Sequence, residues 1–196
     1  MLTPLMNRPL ALTAAVLVAT LTHAEFPTAQ QAGHTHTPAE AAAELSKARR
    51  RFSPELERIK ALAGRWEGTT FRQTEGTTAA VVTYEVTAAG SAVIEKLFPG
   101  TPREMTTVYH DDSTGRLTAD HYCNAANQPR LKLTESQGER LSFVLSPDSD
   151  IKADLENHAH ELTLTLGADG SLVHDWLNHY LGRPAQERNI KLRRTR

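Results

Sequence analysis

From Arg65 onward, apolar and polar positions alternate in short runs instead of recurring every three or four residues, and turn residues interrupt the runs at regular intervals. That pattern predicts about ten strands. They are Arg65 to Arg72, Ala79 to Thr87, Ala92 to Phe98, Glu104 to His110, Arg116 to Asn124, Arg130 to Leu133, Glu139 to Leu145, His158 to Leu166, Ser171 to Leu181 and Glu187 to Arg193. The breaks carry turn chemistry: Ala89-Gly90-Ser91, Pro99-Gly100, Asp111 to Gly115, Gln137-Gly138 and Ala168-Asp169-Gly170. Consecutive hairpins make an antiparallel up-and-down meander, and so long a meander avoids exposed edges most simply by closing into a barrel.

The N-terminal third reads differently. Asn7 and Arg8 precede the apolar run Leu10 to Leu21, and Thr22-His23-Ala24 offers a small-residue cleavage site, so residues 1–24 are expected to be a signal peptide and the mature protein periplasmic or secreted. The run is short for a bilayer span, so no stable membrane insertion is expected after cleavage. Residues 25–52 read as a flexible lead followed by a helix over Ala39 to Phe52. Ser53-Pro54-Glu55 then starts a short amphipathic helix that Gly64 ends, and residues 53–196 form the barrel domain.

Charge excludes one class of partner. Cleavage would remove Arg8 alone from the 22 basic and 23 acidic residues, leaving a net charge of −2, which argues against nucleic acid. The one cysteine, Cys123, cannot form an internal disulfide, so packing must supply the stability.

Side-chain parity then selects candidate residues. Leu162, Leu164 and Leu166 should face the core, and His158 and His160 share their parity. Leu117 and Ala119 likewise turn His121 and Cys123 inward. Two inward pairs at i, i+2 spacing result, and three imidazoles with a thiolate suit zinc or copper. The alternative is a hydrogen-bonded polar patch lining a cavity or plugging its end. Trp176 suggests that His174 also faces inward, whereas His179 is equally readable as exposed. Tyr84, Tyr109 and Phe143 can line an apolar cavity or simply fill the core. Arg130 could meet an anionic ligand, although pairing with Asp120 or Glu104 explains it as well.

Gly64-Arg65-Trp66, after a short helix and opening the first strand, resembles the GxW signature of the calycin superfamily, which includes lipocalins and fatty-acid-binding proteins. Arg193-Arg194 falls where such barrels carry the arginine that packs across the tryptophan. The stretches 105–130 and 157–166 look more specifically like the bacterial DUF1579-type, lipocalin-like proteins. That resemblance implies a barrel around a cavity and no catalytic residues. Trp66-Glu67-Gly68 is similar to the haem-binding nitrobindins, but residues 187–192 lack the histidine those proteins place near the C-terminal strand.

No GxSxG, P-loop, HExxH or CxxC motif is present, so a binding protein is expected over an enzyme, and no cofactor is specified. Asp148-Ser149-Asp150 lacks the glycine and closing glutamate of a calcium loop. The leading expectation is an exported barrel holding a small, partly apolar molecule near His121 and His160. The alternatives are a metalloprotein or metal-dependent enzyme using His121, Cys123, His158 and His160, and an envelope structural or interaction module with a packed barrel.

Overall fold

The computed structural model of this protein describes residues 37–40 and 52–195. Among them, ten antiparallel strands form one closed barrel in which every strand pairs with its neighbours in sequence and the last pairs with the first. The strands are β1 (Gly64–Arg72), β2 (Gly76–Thr87), β3 (Ala92–Leu97), β4 (Met105–Asp111), β5 (Leu117–Tyr122), β6 (Arg130–Gln137), β7 (Arg140–Leu145), β8 (His158–Leu166), β9 (Ser171–Tyr180) and β10 (Arg183–Arg194). Closure sets Trp66 opposite Arg194 and Arg72 opposite Arg188. The all-β up-and-down barrel expected from the alternation is therefore the architecture observed, with boundaries shifted by a few residues.

One such shift matters. β5 stops at Tyr122, so Cys123 belongs to the following turn, where its N–H donates to the Asn127 carbonyl at 3.0 Å.

The helix α1 (Pro54–Lys60) closes one end of the barrel. Ser53 caps it: its hydroxyl accepts from the Leu56 N–H at 3.0 Å and donates to Asp111 Oδ1 at 2.6 Å, while its own N–H donates to Asp111 Oδ2 at 2.7 Å. Leu56 and Ile59 are wholly buried in the same core cluster as Leu117, Leu131, Phe143 and Leu172. These side chains fill the barrel from α1 upward. At the opposite end, the connections after β1, β3, β5, β7 and β9 surround a mouth.

Three bulges break the strict alternation, at Leu133/Glu135, Ala159/Glu161 and Pro184/Gln186. The second reverses an expectation. Across it, Ala159 lies opposite Asn178 and His158 opposite His179, whereas Leu162 lies opposite Trp176. Ala159 therefore takes the inward position, and His158 and His160 lie on the outer face, contrary to parity counted from the leucines.

In the separate N-terminal unit, residues 38–40 are helical. Thr37 and Glu40 form a reciprocal capping box: the Glu40 N–H donates to Thr37 Oγ1 at 3.2 Å, and the Thr37 N–H to Glu40 Oε2 at 2.8 Å. The expected signal segment and most of the expected helix over 39–52 lie outside the described residues. Among the described residues no helix is long and apolar enough to cross a membrane.

Candidate functional site

The mouth holds a small cavity of about 70 Å³, lined from several strands by Arg72, Met105, His121, Cys123, Ala159, Trp176, Asn178 and Arg188. Apart from Ala159, turned inward by the bulge, and Cys123 in the turn, the inward strand residues follow from alternation with a core neighbour. Ile190 and Leu192 turn Arg188 inward on β10, and Leu117 and Ala119 do the same for His121 on β5. His121 is 2% exposed, packs against the Trp176 ring at 4.6 Å between centroids, and shares a 3.0 Å hydrogen bond through Nδ1 with the Thr107 hydroxyl. Burial, with the nearby Arg188 charge adding to it, pushes His121 down to about 3, so it is a neutral wall of the cavity at ordinary pH.

Arg188 and Trp176 give the cavity its polarity. Among the described residues the Arg188 guanidinium has no hydrogen-bond or ion-pair partner; it stands 5.4 Å from the Phe98 ring centroid. Burial, then the neighbouring Arg72, lowers its pKa to about 10, which still leaves it charged at neutral pH. Trp176 is 6% exposed and its indole Nε1 is buried without a partner among the described residues. Arg72 is engaged with Glu75 and with Gln186 Oε1, the latter at 2.6 Å. A cation with no protein partner among the described residues and a buried, unpaired indole donor thus share one wall.

Below the mouth lies a buried network that sequence reading missed in part. Glu95 is 0% exposed; Tyr109 donates to it at 2.8 Å, and Thr107 lies at 3.4 Å. Desolvation raises Glu95 to about 7, outweighing the hydrogen bonds from Tyr84, Tyr109 and Thr107 that favour the carboxylate. Burial and the Glu95 charge raise both tyrosines in turn. The Tyr84 hydroxyl also meets His174 Nε2 at 2.9 Å, while His174 Nδ1 has no partner among the described residues and burial holds that ring down at about 3. Phe143 packs on Tyr109 with centroids 6.0 Å apart. The signal for Glu95 was available: it shares the parity of Val93 and Leu97.

The candidate residues therefore divide. Tyr84, Tyr109, His121, Phe143, His174 and Trp176 meet in the interior, with Cys123 at its rim. Arg130 does not join them. It lies on the outer wall and grips Asp120 with two bonds, Nε to Oδ1 at 2.7 Å and Nη2 to Oδ2 at 3.1 Å. His160 also leaves the interior because of the β8 bulge. Among the described residues the one group of potential metal donors consists of His158, His160 and His179, without His121 or Cys123. A wider groove of about 820 Å³ runs by the Pro184/Gln186 bulge, and Trp176 and Arg188 line it as well as the small cavity.

No family model matches the chain, and no curated protein matches it significantly. The DUF1579 likeness thus rests on the stretches quoted above, without a family match. Among solved structures, a protein of unknown function from the DUF3598 family of Nostoc punctiforme superposes with a TM-score of 0.47 at 12% identity, over 70% of this chain and 49% of that one. The chain accordingly spans about half the length of that neighbour.

Proposed function

We propose that this chain is an exported, lipocalin-like barrel that binds a small, partly apolar molecule by its anionic end at the mouth. The observation that carries the reading is the unpaired, inward Arg188 beside the unpaired Trp176 Nε1. A half-buried charge without a counterion is costly, and a carboxylate or phosphate would satisfy both donors at once. The cavity of about 70 Å³ is well below the usual 300–1,000 Å³ of small-molecule pockets, so only a head group enters it. The apolar remainder of the ligand then rests against Met105 and Ala159 at the rim.

The test is a titration with short carboxylates, organic phosphates and their neutral amide analogues, read by intrinsic fluorescence because Trp176 stands in the cavity wall. Saturable binding of anions, weakened at least tenfold in Arg188→Gln and unchanged in Arg130→Gln, is expected. Absence of binding across the panel, or equal binding of the neutral amides, overturns the reading in favour of a packed structural barrel.

A further inference from the structure

On the outer wall, facing away from the mouth cavity, the β8 bulge and the neighbouring strand bring three imidazoles together. One ring nitrogen from each of His158, His160 and His179 lies within 4.8 Å of the other two. His158 and His179 are directly opposed cross-strand partners, and the bulged residue His160 stacks flat on His179, with centroids 3.6 Å apart and planes 3° from parallel. His158 and His160 would share a face in a regular strand as well; what the extra residue changes is which face, since it turns Ala159 inward and leaves both histidines on the outer side with His179.

The hydrogen bonds define which nitrogens are free. His158 Nδ1 lies 2.9 Å from the Glu156 carbonyl, which can only accept, so that nitrogen carries the proton and Nε2 holds the lone pair. This is the backbone support that orients a ligating histidine. Nε2 in turn meets His160 Nδ1 at 3.0 Å. His179 Nε2 is buried and has no partner among the described residues. The cluster therefore contains an oriented lone pair, a nitrogen already beside it, and an unsatisfied nitrogen whose burial carries a cost.

We propose that His158, His160 and His179 bind a first-row divalent cation of the zinc type on the outer wall of the barrel, independently of the anion site at the mouth. Zinc bonds to nitrogen of about 2.0–2.1 Å place tetrahedral donors roughly 3.4 Å apart, and side-chain rotation of the half-buried His160 and His179 brings the three nitrogens to that spacing. The ion replaces the hydrogen bond between His158 and His160, the His160 proton moving from Nδ1 to Nε2 so that Nδ1 can ligate, and it satisfies His179 Nε2. Three protein ligands leave a fourth position for water or an exogenous group.

Two features favour loading. His158 is fully buried while His160 and His179 are half-buried, so the site has one anchored ligand and an open approach. The backbone around the site is pinned: Asn127 Nδ2 donates to the Asn157 carbonyl at 2.9 Å, and the Gly182 N–H to the Ala153 carbonyl at 3.1 Å.

The experiment uses tag-free, metal-stripped full-length protein carrying His34→Ala and His36→Ala, so that the N-terminal histidine pair does not contribute. Zinc is titrated against a chromophoric chelator, and cobalt(II) is added separately for its visible absorption. The expected result is one zinc per chain, a cobalt spectrum of a four-coordinate site, and at least a tenfold loss of affinity in both His160→Ala and His179→Ala. Cys123→Ser and His110→Ala should bind as the parent does. The two half-buried histidines are chosen because their removal spares the core, and an unchanged thermal transition without metal confirms folding. Binding that is absent, that survives in both histidine variants, or that is lost in Cys123→Ser overturns the proposal.

Discussion

Arg194 lays its guanidinium over Trp66, 4.6 Å from the ring centroid, and donates to the Ala61 and Ala63 carbonyls just beyond α1. The Trp66 indole N–H completes the arrangement by donating to the Leu62 carbonyl at 2.8 Å. One contact thus ties the last strand to the first and to the helix that closes the barrel. Because the arginine is exposed, its stacking is worth about 0.5–1 kcal/mol, and the charged hydrogen bonds add to that. Arg194→Ala should lower stability by roughly 1–2 kcal/mol in urea unfolding. Arg194→Lys should recover little, since an ammonium cannot cover the ring and reach both carbonyls.

Glu95 predicts a pH dependence of stability. Its folded pKa of about 7 lies above the ordinary carboxylate value of 4.5, so the folded state holds the proton more tightly. This group's contribution is fully present below about 4.5 and is lost as pH rises through about 7, a change on the order of 3 kcal/mol. His121 and His174, both held near 3, act in the opposite sense and destabilise the fold as pH falls below their unfolded value of 6.5. Comparing Glu95→Gln with the parent isolates the carboxyl. The variant should gain stability relative to the parent as pH rises from 5 to 7 and hold that gain at pH 8, as measured by thermal unfolding. A difference that stays constant across the range would show that Glu95 is not protonated in the fold.

Much of the barrel was legible because alternation with Leu, Val and Ile fixes faces wherever pairing is regular. His121 was placed inward on that ground and His174 through Trp176, and Arg188 was open to the same reasoning through Ile190 and Leu192. The reading of His158 and His160 failed at the Ala159/Glu161 bulge, where one extra residue reverses the parity without any glycine or proline to mark it. Cys123 was displaced for a different reason: β5 ends at Tyr122, two residues short of the expected Asn124, and the turn takes the Cys123 backbone. Cross-strand distances, which assemble His179 with the β8 pair, depend on register and are not encoded in any single strand.

Asp120 is held at about 2: burial opposes its charge, but hydrogen bonds from His110 and Arg130 outweigh burial. The same contact with Asp120 raises His110. The carboxylate's contribution is present above about 3.8 and lost as pH falls through 2, whereas that of His110 is present below its unfolded value and fades as pH rises above it. Asp120→Asn should therefore cost most between pH 4 and 6.5 and less at pH 8. Arg130 is well exposed, so the loss should be about 1 kcal/mol or less. Anion binding at the mouth should not change, because Arg130 and Asp120 lie outside it.

Gly68 is the position where the barrel wall tolerates no side chain. It lies opposite Leu192 on β10 and Ala80 on β2, and a Cβ there would fall 1.9 Å from the Lys191 carbonyl oxygen. The obstacle is backbone, so no rotamer change relieves it, and β1 would have to move away from β10 at the seam that closes the barrel. Overpacking of this kind costs about 1–3 kcal/mol or more, and the loss should appear as a lower urea midpoint for Gly68→Ala. Amide exchange gives the sharper measurement. Protection should fall along the β1–β10 ladder, from Trp66 through Thr70 and Ile190 through Arg194, while the β6–β7 pair keeps its protection. Uniform loss around the whole barrel would mean that the seam opens only with global unfolding.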